Sequence, residues 1–216
     1  MEHVQVLIYD GFDELDAIAP FEILAAAGFT TELVTVRAAP NVRSAYGARI
    51  IPGATLAPAP DLLVVPGGGW ASRAPRGAWA ESLKPDLPDA IADRHGAGSV
   101  VAGVCSGVML VATAGLLHAR PAVTHHAAID DLRERGADVR ADARVVDDGD
   151  VITAGGVTAG IDLALHIVAR EHGIDAARAA TLRIEHHVRG PILRTRRVAT
   201  GLPESNSPVQ ANRAFA

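Results

Sequence analysis

Two stretches constrain the fold more than any others: "DLLVVPGGG" (61–69) and "GSVVAGV" (98–104) are apolar without alternation and run straight into tight, glycine-rich corners. A strand with one wet face alternates apolar and polar residues, so unbroken apolar strands need cover on both faces. The rest of the chain supplies that cover. "HVQVLIY" (3–9) reads as a strand, "LDAIAPFEILAAAG" (15–28) as a helix closed by Gly28, and "TELVTV" (31–36) as a second strand. A hairpin or excursion over 44–53 turns at Gly47, and a polar helix over 78–94 is interrupted early by Pro85 and Pro88. After the 98–104 strand comes a helix closing near Gly115, then a strand "AVTHH" (122–126) and a helix to Gly136. A strand pair over 143–156 turns at an Asp-Gly step, and helices over 158–172 and 175–186 end the regular part. Strands alternating with helices of about 10–15 residues argue for βαβ units and a mainly parallel sheet covered by helices. The segment 190–216, rich in Pro, Ser, Asn and Arg, reads as an irregular tail to a single domain over 1–189.

Composition narrows the function classes. Of 216 residues, 49% are hydrophobic and 21% charged, the balance of an ordinary globular chain. A formal net charge of −5 offers no large positive field, so nucleic acid is not an expected partner. The single cysteine excludes an internal disulfide framework and suits a reducing compartment. The N-terminus lacks a basic region and cleavage site, and no apolar run approaches the roughly 20 residues of a membrane span. A cytoplasmic protein acting on a small molecule, without a membrane partner, is the expectation.

That one thiol, Cys105, stands in "GVCSG", at the carboxyl end of a strand and the start of a helix. Ligands of open parallel sheets bind beyond such strand ends. The setting follows the logic of a nucleophile elbow with sulfur in place of hydroxyl, Gly103 and Gly107 leaving room for the turn. The helix start turns unpaired N–H groups and a positive dipole end toward the sulfur, which favours the thiolate. A lone cysteine is often only a small core residue; the glycine bracket and strand-end position favour chemistry. The loop "VVPGGGW" (64–70) is a second strand end, and backbone N–H groups of Gly68 and Gly69, with that of Ser106, are candidates for an anion hole.

Together "DELDAIAPFEIL" (13–24), "VVPGGG" (64–69), "GVCSGVMLVATAGLL" (103–117), "AVTHH" (122–126) and "VITAGGVTAGIDLAL" (151–165) resemble the ThiJ/PfpI superfamily, relatives of the class I glutamine amidotransferases. The resemblance spans about residues 3–188 and implies a flavodoxin-like three-layer α/β sandwich with a mainly parallel central sheet, and usually a homodimer. Within the superfamily the sequence looks most like the isocyanide hydratases: Asp16 stands where many members place a glutamate, and "GGVTAGIDLAL" follows the hydratase pattern. Two positions depart from it. Ser106 replaces a threonine, and His126 stands where an aromatic residue is usual.

What the resemblance implies chemically is attack of the Cys105 thiolate on an isocyanide carbon with Asp16 as general acid and base. The product is a thioimidate that water converts to an N-substituted formamide, releasing the cysteine. Asp16 is expected to hold a proton when Cys105 is ionised, because two adjacent charges would disfavour each other. Its alternative role is to cap the helix at 15–28, and Ser106 either bonds substrate or water or caps its own helix. His125 follows a strand and is expected to support the site rather than act as a base, since no acidic partner for it is apparent. With one cysteine and no histidines at i, i+4, no metal site is expected, and no cofactor. Other readings are a glyoxalase, deglycase or amidase-type cysteine enzyme of the same superfamily, and a non-enzymatic redox or ligand sensor.

Overall fold

A computed structural model describes residues 1–195. The chain opens with β1 (His3–Leu7), α1 (Glu14–Ala26) and β2 (Thr30–Thr35), then a small hairpin of β3 (Val42–Arg43) and β4 (Arg49–Ile50). Next come β5 (Ala54–Thr55), β6 (Leu62–Val65), α2 (Ala78–Ser82), α3 (Asp86–Gly96), β7 (Val100–Val104) and α4 (Gly107–Thr113). A short ladder follows, β8 (Pro121–Ala122) pairing with β9 (Asp138–Val139) around α5 (Ile129–Glu134). The described chain ends with β10 (Val145–Asp147), β11 (Val151–Ala154), α6 (Ala159–His172), α7 (Ile174–Arg183) and β12 (Ile192–Arg194).

The main sheet has the order β12-β10-β11-β7-β6-β1-β2-β5, and every neighbouring pair is parallel except β10 with β11. Helices α1, α6 and α7 pack on one another, as do α2, α3 and α4, with the sheet between the two groups. This is the three-layer α/β sandwich expected. β6 and β11 are buried at every residue, which is why their sequences carry no polar alternation. From β1 the chain winds outward to β2 and then returns to β6 on β1's other side. The carboxyl ends of β1, β6, β7 and β11 therefore face one crevice around that reversal, the usual place for a ligand in an open sheet.

Three expectations need correction. The helix at 78–94 is two helices, because Pro85 offers no N–H and disfavours helical geometry at Lys84; Pro88 then sits harmlessly in the first turn of α3. "AVTHH" is strand only at its start. Beyond Ala122, Val123 N–H donates to Thr153 Oγ1 and Thr124 Oγ1 donates to the Cys105 carbonyl, so side chains replace ladder partners. Finally, the tail expected to be irregular from 190 contributes β12 to the sheet edge, Ile192 opposite Val145 and Leu193 opposite Val146. Its residues 196–216 lie outside the described chain.

Candidate active site

The corner between β7 and α4 is an elbow in its backbone. Cys105 has φ +56°, a left-handed conformation that costs a non-glycine residue about 1–3 kcal/mol. Its backbone is held in place from three directions. The N–H is shared between the carbonyls of Ala154 (3.1 Å) and Gly155 (2.9 Å), and the Cys105 carbonyl accepts from Thr124 Oγ1 at 2.8 Å. The glycine bracket answers to close packing. A Cβ on Gly107 would lie 2.2 Å from the Val65 carbonyl oxygen, and one on Gly103 would lie 3.0 Å from Val108 Cα. The bare Gly107 lets the end of β6 touch the first turn of α4.

Asp16 projects from the first turn of α1 and is fully buried. It does not cap that helix: Asp13 does, accepting from Leu15 N–H at 3.1 Å. Asp16 Oδ2 accepts from Gly67 N–H at 2.9 Å, while Oδ1 is buried with no conventional partner. The Cys105 thiol lies close enough to share a looser hydrogen bond with the carboxyl. Burial first, and the charge of Asp13 second, push Asp16 up to about 8; the Gly67 amide and the thiol only partly offset them. Asp16 therefore carries a proton at neutral pH.

Cys105 is 6% exposed, a sliver rather than a sealed cavity. The expectation of a thiol kept ionised by the helix start is corrected here. Burial first, then the neighbouring Asp16 charge, raise its pKa well above the ordinary thiol range. The amides of Ser106 and Val157 reach the sulfur and favour the thiolate, but they do not overcome the loss of water. The thiol is thus neutral at rest, and it shares its proton economy with Asp16.

The proposed anion hole is also differently wired. Gly68 N–H donates to Ser106 Oγ at 2.9 Å, Gly67 N–H is taken by Asp16, and the Ser106 N–H serves the sulfur. Gly69 stands behind this layer, its carbonyl accepting from Ala74 N–H. Ser106 neither caps α4 nor lies free. It ties the glycine loop to the elbow, and as a hydroxyl acceptor it keeps its own O–H to donate.

His125 lies beside Gly156, with His125 Nδ1 accepting from Ala127 N–H at 3.2 Å. Burial first and His126 second lower its pKa, so the ring is neutral at neutral pH. With Nδ1 an acceptor, the proton sits on Nε2, which makes His125 a donor. Its acidic neighbour, not apparent in the sequence, is Asp13. His125 also lines a cavity of about 490 Å³ together with Thr124, Arg144, Gly156, Val157 and Thr158. That volume falls within the roughly 300–1,000 Å³ of small-molecule sites.

Three participants escaped the sequence reading. Asp13 was visible only as part of a longer motif; its charge acts on Asp16, Cys105 and His125 together. Tyr9, just past β1, donates to the Pro66 carbonyl at 2.5 Å and holds the glycine loop against the site. Val157 contributes a backbone amide. Among the described residues, no group of three or more His, Cys, Asp or Glu side chains could hold a metal ion, and no helix is long and apolar enough to cross a membrane.

Comparison with known proteins gives a consistent result. The family described as DJ-1/PfpI matches residues 2–170. An isonitrile hydratase from Pseudomonas putida is 32% identical over 182 residues, covering 83% of this chain and 76% of that protein. The Parkinson disease protein 7 homolog of Danio rerio is 25% identical over 177 residues, covering 80% of this chain and 90% of that one. Among solved structures, a ThiJ/PfpI family protein from Pseudomonas syringae superposes with a TM-score of 0.76 at 29% identity, covering 86% of this chain and 76% of its own.

Proposed function

The chain belongs to the DJ-1/PfpI family, and from that premise we propose that it is a cysteine-dependent hydro-lyase adding water to an isocyanide to give an N-substituted formamide. One observation carries the reading: a buried carboxyl with its pKa near 8 lies against the chain's only thiol, on a strained corner. The similarity to an isonitrile hydratase supports it.

An isocyanide takes up a nucleophile and a proton at the same terminal carbon. Once Asp16 has lost its own proton to solvent, its carboxylate accepts the thiol proton as Cys105 Sγ bonds to that carbon, then passes the proton to it, leaving a thioimidate. Water adds next to the same carbon; Asp16 takes one of its protons and hands it to the nitrogen, and the other stays on the new hydroxyl. When the C–S bond breaks, the new hydroxyl becomes the formamide carbonyl, its proton returns through Asp16 to sulfur, and the singly protonated working pair is restored. One proton circulates between two groups, which is the reason for a side-by-side thiol and carboxyl. The Ser106 O–H and the His125 Nε2–H are the donors available to orient substrate or water.

The competing readings fit less well. An amidase or α-oxoaldehyde enzyme would want His125 as a base, whereas its Nδ1 is occupied and its Nε2 is protonated. A peroxide sensor would want an exposed thiolate, and Cys105 is buried with a raised pKa. The test is formamide production from an alkyl or aryl isocyanide. Wild type should turn over; Cys105→Ala should not, and Asp16→Asn should lose about 10²–10⁴-fold, the usual worth of general acid–base catalysis. Absence of turnover in wild type removes the hydratase reading. The homodimer expected from the resemblance belongs to the same proposal, and sedimentation equilibrium checks it.

A further inference from the structure

We propose that the cavity beside Cys105 takes a substrate bearing a carboxylate, and that Arg144 is the residue that holds it. The inference rests on Cys105 as the reacting atom and adds the class of substituent the substrate carries. Arg144 is built into the wall. Its Nε donates to Asp162 Oδ2 at 2.7 Å and its Nη2 to Thr158 Oγ1 at 2.7 Å. Asp162 is wholly buried, and its other oxygen is taken by His186 Nε2 at 2.8 Å. Two side chains thus fix the guanidinium without using it up: among the described residues its Nη1 has no acceptor.

The backbone places this group relative to the sulfur. Cys105 N–H donates to the Gly155 carbonyl and Gly155 N–H donates to the Arg144 carbonyl. Cys105 and Arg144 are therefore two strand spacings apart, about 10 Å between their backbones. The thiol is not itself on the cavity wall, but Thr124, Gly155 and Val157, which line the wall, all bond to Cys105. Thr158, which holds the guanidinium, directly follows Val157, whose amide reaches the sulfur. No acidic side chain lines the cavity; its titratable lining consists of Arg144, His125 and His126. A substituent of a few bonds ending in a carboxylate would span from Sγ to a half-engaged guanidinium fork, the geometry arginine recognises best.

The test uses N-formylglycine, the formamide that isocyanoacetate would yield, and its uncharged amide as binding probes in calorimetry. Wild type should bind the acid at least tenfold more tightly than the amide, with the preference shrinking as salt rises. Arg144→Gln should bring that ratio close to one. Arg144→Lys, which keeps a cation beside Asp162 but loses the fork, should lower it by an intermediate factor and serves if the glutamine variant does not fold. Equal binding of acid and amide by wild type overturns the inference, as does a preference that survives in a folded Arg144 variant. Turnover of isocyanoacetate against its methyl ester separates this from the parent reading. Activity on both without an acid preference sinks the carboxylate site alone. An Arg144-dependent acid preference in binding, with no isocyanide turned over, keeps the carboxylate site and sinks the hydratase.

Discussion

At Asp16 the absence of water sets proton affinity before any neighbour does. A carboxyl whose folded pKa is raised is bound to its proton over a range where the unfolded chain has already lost it. Stability attributable to Asp16 is therefore greatest at low pH and declines as pH rises from about 4 to about 8. Asp16→Asn, which cannot ionise, is expected to be more stable than wild type at pH 8 by several kcal/mol and nearly equal at pH 4, read from urea unfolding at the two pH values. The same shift shapes the rate. The working pair holds one proton, and at neutral pH it holds two. On the proposed mechanism kcat/KM climbs as pH passes through about 8, and a flat profile from pH 6 to 9 would contradict the proton relay. Cys105 could be picked out from sequence because it is the one thiol, set between glycines at a strand end, whereas Asp16 came through the family resemblance. The Val157 amide could not, since every residue has one, and Asp13 stood inside a longer motif with no feature to set it apart.

The elbow unit of β7, Cys105 and α4 depends on contacts that no propensity expresses. Gly107 is needed for the distance to Val65, across from a different strand, and not for its own backbone angles. Gly107→Ala is expected to cost about 1–3 kcal/mol or more, because the obstructing atom is a backbone oxygen with nowhere to go. A urea midpoint equal to wild type would show that β6 and α4 can separate cheaply. Elsewhere, element existence was legible wherever apolar runs were continuous, as in β6, β7 and β11. It was not legible where side chains substitute for ladder bonds, as at Thr124, or where a strand is only three residues long and earns its place by pairing, as β12 does with β10.

At the scale of the whole molecule, the single antiparallel pair in the sheet is pinned to the helical layer by charge. Asp147, at the end of β10, is 3% exposed; it meets His166 Nε2 at 2.8 Å and Arg170 at 3.3 Å, both on α6. Burial alone would raise its pKa, but the His166 interaction, with the Gly149 amide and Arg170, outweighs it and leaves the carboxyl below its usual range. Its contribution is present above the unfolded pKa near 4 and is lost as pH falls through the folded value. Asp147→Asn should cost about 3–5 kcal/mol at pH 7, the penalty for breaking a buried pair, and less at pH 3, below the unfolded pKa. Denaturant titrations at both values check this. A mainly parallel sheet with two helical layers followed from the alternation of elements, whereas the strand order and this tie between turn and helix required coordinates, since Asp147 and His166 are not neighbours in sequence.

A chain with a single cysteine also carries its own reporter. A thiol-selective reagent can modify this protein at one address only, at the narrow opening over the elbow. The speed of capture, measured with a coloured disulfide reagent, is then a clock for how often that corner breathes, and one equivalent released at once on adding denaturant calibrates it.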